Sequence, residues 1–203
     1  MMMKESVVGI DEAGRGAVIG PMIVAGVKIR NHKIDLLSKL GVRDSKKLTP
    51  HKREELYPEI IELVEDYCIE EISFHDIDRR NLTELELERI AKIVNRLNAK
   101  KVIVDSLGNL KRENLIKILK PGIVLIYEKK ADDTYPPCQA ASIIAKVTRD
   151  ERIKRLHRKM GFNFGKGYPN KGTMRFIEGY FEKENILPPQ TRRRWKGVRK
   201  ILS

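Results

Sequence analysis

The sequence is poor in cysteine, in aromatic residues and in long apolar runs, and each shortage excludes a class of protein. Its two cysteines, Cys68 and Cys138, lack the spacing of a zinc site or a disulfide framework, so two free thiols are predicted. No apolar run approaches the roughly 18 residues that a membrane-spanning helix requires. Residues 1–6 lack the apolar stretch of a signal peptide, and we therefore expect a cytoplasmic protein.

Two familiar catalytic arrangements are missing as well. The histidines are scattered, and none adjoins a serine or cysteine in a way that suggests a Ser-His or Cys-His hydrolase. They stand at His32, His51, His75 and His157. The segment 161–166 resembles a Walker A phosphate loop only superficially, because its glycine spacing is one residue short and no Ser or Thr follows the lysine.

Charge is distributed unevenly along the 203 residues, whose net charge is +13. Residues 146–203 carry 17 Lys and Arg against 5 Asp and Glu, whereas residues 1–145 carry 24 against 23. A basic end on a neutral body is expected for a protein that binds a polyanion such as nucleic acid. A solvated basic face has the same charge, and charge alone leaves both interpretations open.

Apolar patterns predict strands that alternate with helices. Strands are predicted over 7–10, 18–27, 67–72, 101–105 and, as a buried strand, 123–127. Helices are predicted from Thr49, from Asn81, and over 114–119, 137–160, 174–181 and 195–202. Pro58 should kink or interrupt the helix that follows Thr49. The alternation, with hairpin-like strands first, predicts an α/β protein with a central mixed sheet flanked by helices.

Acidic residues follow several of the predicted strands. Asp11 and Glu12 follow the first apolar run, and Asp105 ends the strand 101–105. Buried carboxylates need a positive partner, which for Asp11 and Glu12 is either a divalent cation or Arg15. Asp105 faces a ligand crevice if the sheet is open, or else caps the next turn.

A further acidic pair, Asp132 and Asp133, precedes the long basic helix. Either residue could be an anion at the helix N-terminus, or one of them could complete a carboxylate cluster with the strand-end acids. A cluster of oxygen ligands alone selects Mg²⁺ or Mn²⁺ over zinc.

Three segments combine basic and polar groups suited to phosphate or nucleic acid. Ser45 and Lys46 precede a capped helix, and the loop 165–169 offers glycines, a lysine and Tyr168. The run 191–196 interleaves Trp195 with arginines. For both aromatic residues, ordinary packing is the alternative.

Together these motifs resemble those of the type 2 ribonucleases H (ribonuclease HII), in the single-chain form typical of archaea. They follow the family's order: Gly9-Ile-Asp-Glu-Ala-Gly-Arg-Gly16, Arg43-Asp-Ser-Lys-Lys-Leu48, Asp105, Lys130-Ala-Asp132, Ala140-Ala-Ser-Ile-Ile-Ala-Lys-Val-Thr-Arg-Asp150 and Gly167-Tyr-Pro169. Two departures are Ala17, where many relatives have proline, and residues 170–172, to which we assign no role.

The resemblance implies a ribonuclease H-like fold in one domain, with a catalytic core over about residues 1–160 and a C-terminal helical substrate-binding region over about 161–203. It assigns catalysis and the binding of two divalent ions, Mg²⁺ or Mn²⁺, to four acids: Asp11, Glu12, Asp105 and Asp132. Asp132 is preferred to its neighbour because the family's acid directly follows Lys-Ala. The substrate-binding residues it implies are Gly14, Arg15 and Gly16 for the ribose 2′-OH, Tyr168 for the ribose–deoxyribose junction, and Ser45, Lys46 and Lys146 for phosphate.

The implied activity is endonucleolytic, two-metal hydrolysis of RNA in RNA/DNA hybrids and at ribonucleotides embedded in duplex DNA, as in ribonucleotide excision. The products would carry 5′-phosphate and 3′-hydroxyl ends. Two alternatives are an inert hybrid-binding module, which need not keep four acids, and a sugar-kinase-like ATPase, whose phosphate loops the sequence lacks. A monomer is expected, and no clear tail motif predicts a sliding-clamp partner.

Overall fold

The computed structural model describes residues 5–43, 45–98, 100–106 and 110–202. Asp44, which belongs to one of the sequence motifs, lies outside the described residues. The same holds for Gly108 and Asn109, which follow Asp105.

A five-stranded mixed sheet forms the centre of the protein. Its strands are β1 (Ser6–Ala13), β2 (Met22–Arg30), β3 (Asp66–Ile72), β4 (Lys101–Asp105) and β5 (Val124–Glu128). They are ordered β3-β2-β1-β4-β5, with β2 antiparallel to both β1 and β3, and with β4 parallel to both β1 and β5. The last paired residues of β1 and β4 are Ile10 and Val104. The next residue of each strand is an aspartate, so two acids lie where β1 and β4 part.

Helices flank the sheet on both faces. They are α1 (Ile34–Lys39), α2 (Pro50–Leu63), α3 (Phe74–Arg79), α4 (Leu82–Leu97), α5 (Arg112–Ile118), α6 (Ala131–Thr134), α7 (Pro136–Met160), α8 (Lys171–Glu184) and α9 (Lys196–Leu202). No helix in these described ranges is long and apolar enough to cross a membrane. The predicted mixed sheet with flanking helices is confirmed.

Side-chain alternation along β1 assigns its residues to two cores. Val7 and Ala13 belong to the core that α7 covers, whereas Val8 and Ile10 belong to the core that α4 covers. The period of two therefore directs Asp11 toward α7 and Glu12 toward α4. A third core joins the later part of α7 to α8, α9 and the segment before β2.

Two predicted helix starts are confirmed by capping side chains. The Thr49 hydroxyl accepts from the N–H of Lys52, and Asn81 Oδ1 accepts from the N–H of Thr83. Pro58 does not interrupt the helix, because α2 continues through it to Leu63, and the alternative of a kink stays a prediction. Pro58 is exposed, so water can satisfy the carbonyl that loses its partner.

Two strand predictions need correction. Residues 18–21 lie outside β2, because Val18 and Ile19 pack in the third core and Ile19 forms an isolated bridge with Thr191. The last strand is not buried as predicted, since β5 is an edge of the sheet and Val124 is exposed.

A candidate metal centre beside a glycine turn

Three acids meet where β1 and β4 part. Asp11, Glu12 and Asp105 each place one carboxylate oxygen within 4.8 Å of the others. Asp11 is buried, while Glu12 and Asp105 are half-buried. The parting of the strands explains this arrangement, because two neighbours on β1 that point to opposite faces can both turn toward the open strand end.

Asp11 is held from the α7 side. A Cβ atom on Gly9 would lie 2.2 Å from the carbonyl carbon of Pro137, so only glycine at this position lets α7 approach β1 so closely. The Asp11 carboxylate is hydrogen-bonded to the side chain of Ser142, four residues before Lys146. Burial nevertheless raises the pKa of Asp11 to about 6.

Lys146 bonds the same serine and acts on the charge of Asp11. Its Nζ donates to Ser142 Oγ at 2.8 Å and to Ser45 Oγ. Burial lowers the pKa of Lys146, although Asp11 and Asp132 both favour its charged form. Ser45 is buried, and its hydroxyl lies 2.8 Å from that of Ser142. The Ser45 hydroxyl is therefore engaged within the protein rather than at the surface.

The charged neighbours that shift the pKa of Glu12 are acidic. Burial, followed by the charge of Asp11, raises the pKa of Glu12 well above its usual range, and Glu86 of α4 adds to this effect. Within the described chain, Glu12 Oε2 is buried without a hydrogen-bond partner. Arg15 donates from Nε to Glu86 Oε1 at 2.7 Å. Two partners were considered for Asp11 and Glu12, a divalent cation and Arg15. Arg15 pairs with Glu86 instead, which leaves the divalent cation.

The remaining acids lie around the short helix α6. Asp105 Oδ1 accepts the N–H of Ala131 at 2.8 Å, so Asp105 ties α6 to the strand end while also belonging to the three-acid group. Asp132 is buried, and its Oδ2 accepts from Lys46 Nζ at 3.0 Å. Asp132 lies outside the three-acid group, and Asp133 is exposed.

These groups fit a hard divalent cation. Three carboxylates converge, and Glu12 Oε2 and Asp132 Oδ1 are buried without hydrogen-bond partners among the described residues. Orphaned buried oxygens are rare, and oxygen ligands alone suit Mg²⁺ or Mn²⁺. Burial also raises the pKa of Asp105, the effect that a nearby cation would offset.

The turn Gly14–Gly16 follows directly on β1, and its two glycines differ. Gly14 has a φ of +90°, and a Cβ there would lie 2.0 Å from Nε of Arg149. Gly16 has an exposed backbone, and a Cβ there would meet no described atom within 4 Å. The fold therefore accounts for glycine at 14 but not at 16.

Tyr168 lies beside the turn. Its ring is exposed and stacks near Arg149, whose Cζ is 5.0 Å from the ring centroid. The carbonyl of Gly167 accepts the N–H groups of Val18 at 2.7 Å and Ile19 at 3.2 Å. These bonds join the loop 165–169, hereafter the tyrosine loop, to residues 18–19, in the chain that leaves the glycine turn.

Sequence reasoning assigned no role to four residues that support the site: Glu86, Ser142, Arg149 and Arg192. One signal was available for Glu86, because it shares a helical stripe with Ile90 and Ile93, and a charge on an apolar stripe indicates a buried partner. Ser142 and Arg149 lie inside a family motif, yet their contacts cross from one element to another.

Solved structures identify the class. The crystal structure of ribonuclease H2 from Pyrococcus horikoshii OT3 matches with a TM-score of 0.87 at 39% identity, covering 97% of this chain and 96% of that one. Ribonuclease HII of Archaeoglobus fulgidus, solved in complex with PCNA, matches with a TM-score of 0.86 at 38% identity and 97% coverage of both chains. The protein therefore has a ribonuclease H-like fold, as predicted.

Sequence comparison identifies the family within that class. The Ribonuclease HII family profile matches residues 8–198. The ribonuclease HII of Thermococcus sibiricus is 46% identical over 205 residues, covering 95% of this chain and 89% of that protein. The chain belongs to the ribonuclease HII family, which degrades RNA in RNA/DNA hybrids, and it is a ribonuclease H enzyme. An inert binding module and an ATPase are thereby excluded.

Proposed function

We propose that the enzyme cuts endonucleolytically, both within RNA/DNA hybrids and at ribonucleotides embedded in duplex DNA. Asp11, Glu12, Asp105 and Asp132 would hold two divalent ions, Mg²⁺ or Mn²⁺. The observation that carries this proposal is the three-acid group, together with the orphaned buried oxygens of Glu12 and of the nearby Asp132. Such ions supply a Lewis acid and an activated water. Hydrolysis at the 3′ oxygen leaves 5′-phosphate and 3′-hydroxyl ends.

The protein's own part in the reaction is to orient the acids. Ser142 fixes one side of Asp11, and Lys146 stabilises the charged form of Asp11. The N–H of Ala131 orients Asp105. The site is thus preorganised by the fold, so little rearrangement is needed when substrate binds.

We assign recognition of the ribose to Gly14, Arg15 and Gly16. The 2′-OH is the group that distinguishes RNA from DNA, and an exposed backbone can approach it closely where no Cβ intervenes. Gly16 supports this role because nothing inside the described chain requires glycine there. Tyr168, exposed beside the turn, is assigned to the junction between ribose and deoxyribose.

The phosphate contacts fall to lysines near the acids. Lys46 has an exposed side chain whose Nζ bonds Asp132, so it can exchange that partner for a substrate phosphate. Lys146 is half-buried beside Asp11, where it can contact a phosphate of the nucleic-acid strand that lies nearest the acids. We limit Ser45 to holding Lys146, because its hydroxyl is buried.

The C-terminal region over about 161–203 is proposed as a second substrate surface. Lys166, Lys171 and Arg175 are exposed there. Binding of hybrid should therefore weaken steeply as salt rises, because phosphate neutralisation releases counterions. A binding constant that hardly changes between low and high salt would contradict this surface.

The other partners remain predictions. A sliding clamp is supported by the complex of the Archaeoglobus fulgidus relative with PCNA, although the sequence has no clear tail motif. A monomeric state and a cytoplasmic location are likewise expectations from the sequence.

Two variants and a matched control test the acid assignment. Asp132→Asn and Asp105→Asn should lose cleavage of a labelled RNA/DNA hybrid in Mg²⁺ or Mn²⁺. Asp133→Asn is the control, because this neighbouring acid is exposed and should leave cleavage near the wild-type rate. Near-wild-type cutting by Asp105→Asn, or loss in Asp133→Asn alone, would overturn the assignment.

A second experiment tests the substrate range. A DNA duplex with one ribonucleotide and a full RNA/DNA hybrid are compared under each metal ion. Cutting of both substrates, with 5′-phosphate ends, is expected. Failure to cut the single ribonucleotide would confine the enzyme to hybrids and remove the proposed junction role of Tyr168.

A further inference from the structure

Two arginines are buried beneath the glycine turn, in segments far apart in the chain. Arg149 lies on α7 and is 1% exposed, and Arg192 precedes α9 and is 0% exposed. Across the described ranges neither forms an ion pair. Burial lowers the pKa of both guanidinium groups, that of Arg192 to about 9. An unpaired buried charge is costly, so its retention calls for an explanation.

Arg149 donates hydrogen bonds to three main-chain carbonyls. Nε donates to Pro21 at 3.0 Å, Nη2 to Ile19 at 3.1 Å and Nη1 to Lys166 at 2.9 Å. The first two carbonyls belong to the chain that leaves the glycine turn, and the third belongs to the tyrosine loop. One rigid guanidinium therefore fixes these two loops relative to each other.

Arg192 fixes the turn itself. Its Nε donates to the Gly20 carbonyl at 2.9 Å, and its Nη1 donates to the Arg15 carbonyl at 3.1 Å. Its own N–H donates to Val18 at 2.8 Å. The C-terminal segment is thereby bonded to the centre of the Gly14–Gly16 turn.

The glycine turn and Tyr168, which are proposed to recognise the ribose and its junction, both contact Arg149. Gly14 packs against its guanidinium so closely that a Cβ would fall 2.0 Å from Nε. The ring of Tyr168 lies 5.0 Å from its Cζ. One side chain therefore contacts both the turn and the tyrosine.

We propose that Arg149 and Arg192 are positioning residues that set the separation between the glycine turn and Tyr168, and with it the specificity for a single embedded ribonucleotide. This inference rests on the proposed roles of the turn and of Tyr168. A single ribonucleotide has one 2′-OH next to one junction, so the glycine turn and Tyr168 must be the correct distance apart to contact both at once. A long hybrid has a ribose at every nucleotide, so the turn can still contact a 2′-OH when its distance from Tyr168 has changed.

Lysine substitutions test this proposal, since lysine keeps the charge but cannot span several carbonyls as the guanidinium fork does. For Arg149→Lys and Arg192→Lys, kcat/KM is measured on a duplex with one ribonucleotide and on a full hybrid. We expect the ratio of the two values to fall on the order of tenfold, since an ångström of misplacement can lower a rate about a hundredfold. Arg89→Lys is the control, because Arg89 of α4 also donates to a carbonyl, that of Glu71, away from the turn.

The ratio separates positioning from a purely structural role. Loss of folded enzyme lowers both values by the same factor and leaves the ratio unchanged, and that result would overturn the proposal. Circular dichroism at the assay temperature establishes folding. If one lysine variant does not fold, the other carries the test, because Arg192 bonds the turn and Arg149 bonds the chain that leaves it.

A double-mutant cycle adds a second readout. Because Arg149 would act through Tyr168, the Arg149→Lys change should alter the ratio less than about twofold in a Tyr168→Ala background. An equal change in both backgrounds would overturn that route. Wild-type enzyme that cuts neither substrate would instead refute the proposed function, which keeps the two failures distinct.

Discussion

The two charged regions that meet at the glycine turn are stabilised in opposite ways. On the strand side, the acids Asp11, Glu12 and Asp105 converge, and Glu12 Oε2 and the nearby Asp132 Oδ1 are without partners among the described residues. On the turn side, Arg149 and Arg192 are at least as deeply buried, yet main-chain carbonyls accept from five of their six guanidinium nitrogens, and Arg192 Nη2 is the one left without a partner among the described residues. The positive region is largely complete within the chain, whereas the negative region calls for a cation from solution. The first is a scaffold, and the second is a binding site.

The largest effect should follow from removing one charge on the strand side. Asp11→Asn keeps the size of the side chain and a partner for Ser142, but it removes a metal ligand. Because metal assistance is worth several kcal/mol, cleavage of a hybrid should fall on the order of a thousandfold. Steady-state rates in Mg²⁺ measure this, and circular dichroism should show an unchanged fold. A loss below tenfold would mean that the acids do not act together.

The next largest effect should appear on the turn side, as lost stability. Gly14→Ala would place a methyl group against Arg149 in a left-handed conformation, so the free energy of unfolding should fall by about 3 kcal/mol or more. Gly41→Ala is the matched control, since Gly41 has a φ of +87° but no described atom within 4 Å of a Cβ. It should lose only about 1–2 kcal/mol of backbone strain. Equal losses in urea denaturation would disprove packing of the turn on Arg149.

Gly16→Ala should separate binding from stability within the same turn. The added methyl group meets nothing inside the described protein, so the free energy of unfolding should change by less than about 0.5 kcal/mol. Cleavage should nevertheless fall by roughly tenfold or more, because the methyl group holds the substrate away. Wild-type activity in this variant would remove Gly16 from the recognition surface.

The smallest effect concerns the metal-free protein. Glu12→Gln removes a buried carboxylate, so in chelator the variant should be more stable than wild type by about 1 kcal/mol. The folded-state pKa of Glu12 is raised, so as pH rises above about 4.3 the carboxyl group ionises more readily in the unfolded chain than in the folded protein, and the wild type loses stability until pH passes the folded-state pKa. The advantage should therefore be larger at pH 8 than at pH 5. A variant less stable at both pH values would show that Glu12 has a partner in the protein.

Sequence reasoning succeeded where the cause was local. Apolar runs located β3 and β4, and the side chains of Thr49 and Asn81 begin helices that their own spacing predicts. The glycine turn was recognised as a unit, since its residues are consecutive. The reach of α2 beyond Pro58 was missed, because it depends on solvent access to one carbonyl.

Reasoning from sequence failed where the partner is remote. Arg149 bonds carbonyls about 130 positions earlier, and Glu86 binds Arg15 across 71 positions. Every residue has a main-chain carbonyl, so residue types do not show which carbonyls an arginine bonds. The sequence therefore does not distinguish Arg192 from the exposed Arg193 beside it. The convergence of Asp11 and Asp105 also required the strand register, which no spacing along the chain reveals.

The most direct test of the central claim is calorimetric titration of Mn²⁺ into chelator-treated protein, wild type and Asp105→Asn. Catalysis is absent from this measurement, so it reports the site alone. The acid cluster predicts binding to the wild type and loss or strong weakening of that binding in the variant, with Asp133→Asn unchanged. Equal Mn²⁺ binding by wild type and Asp105→Asn would contradict the assignment of the strand-end acids as the metal centre.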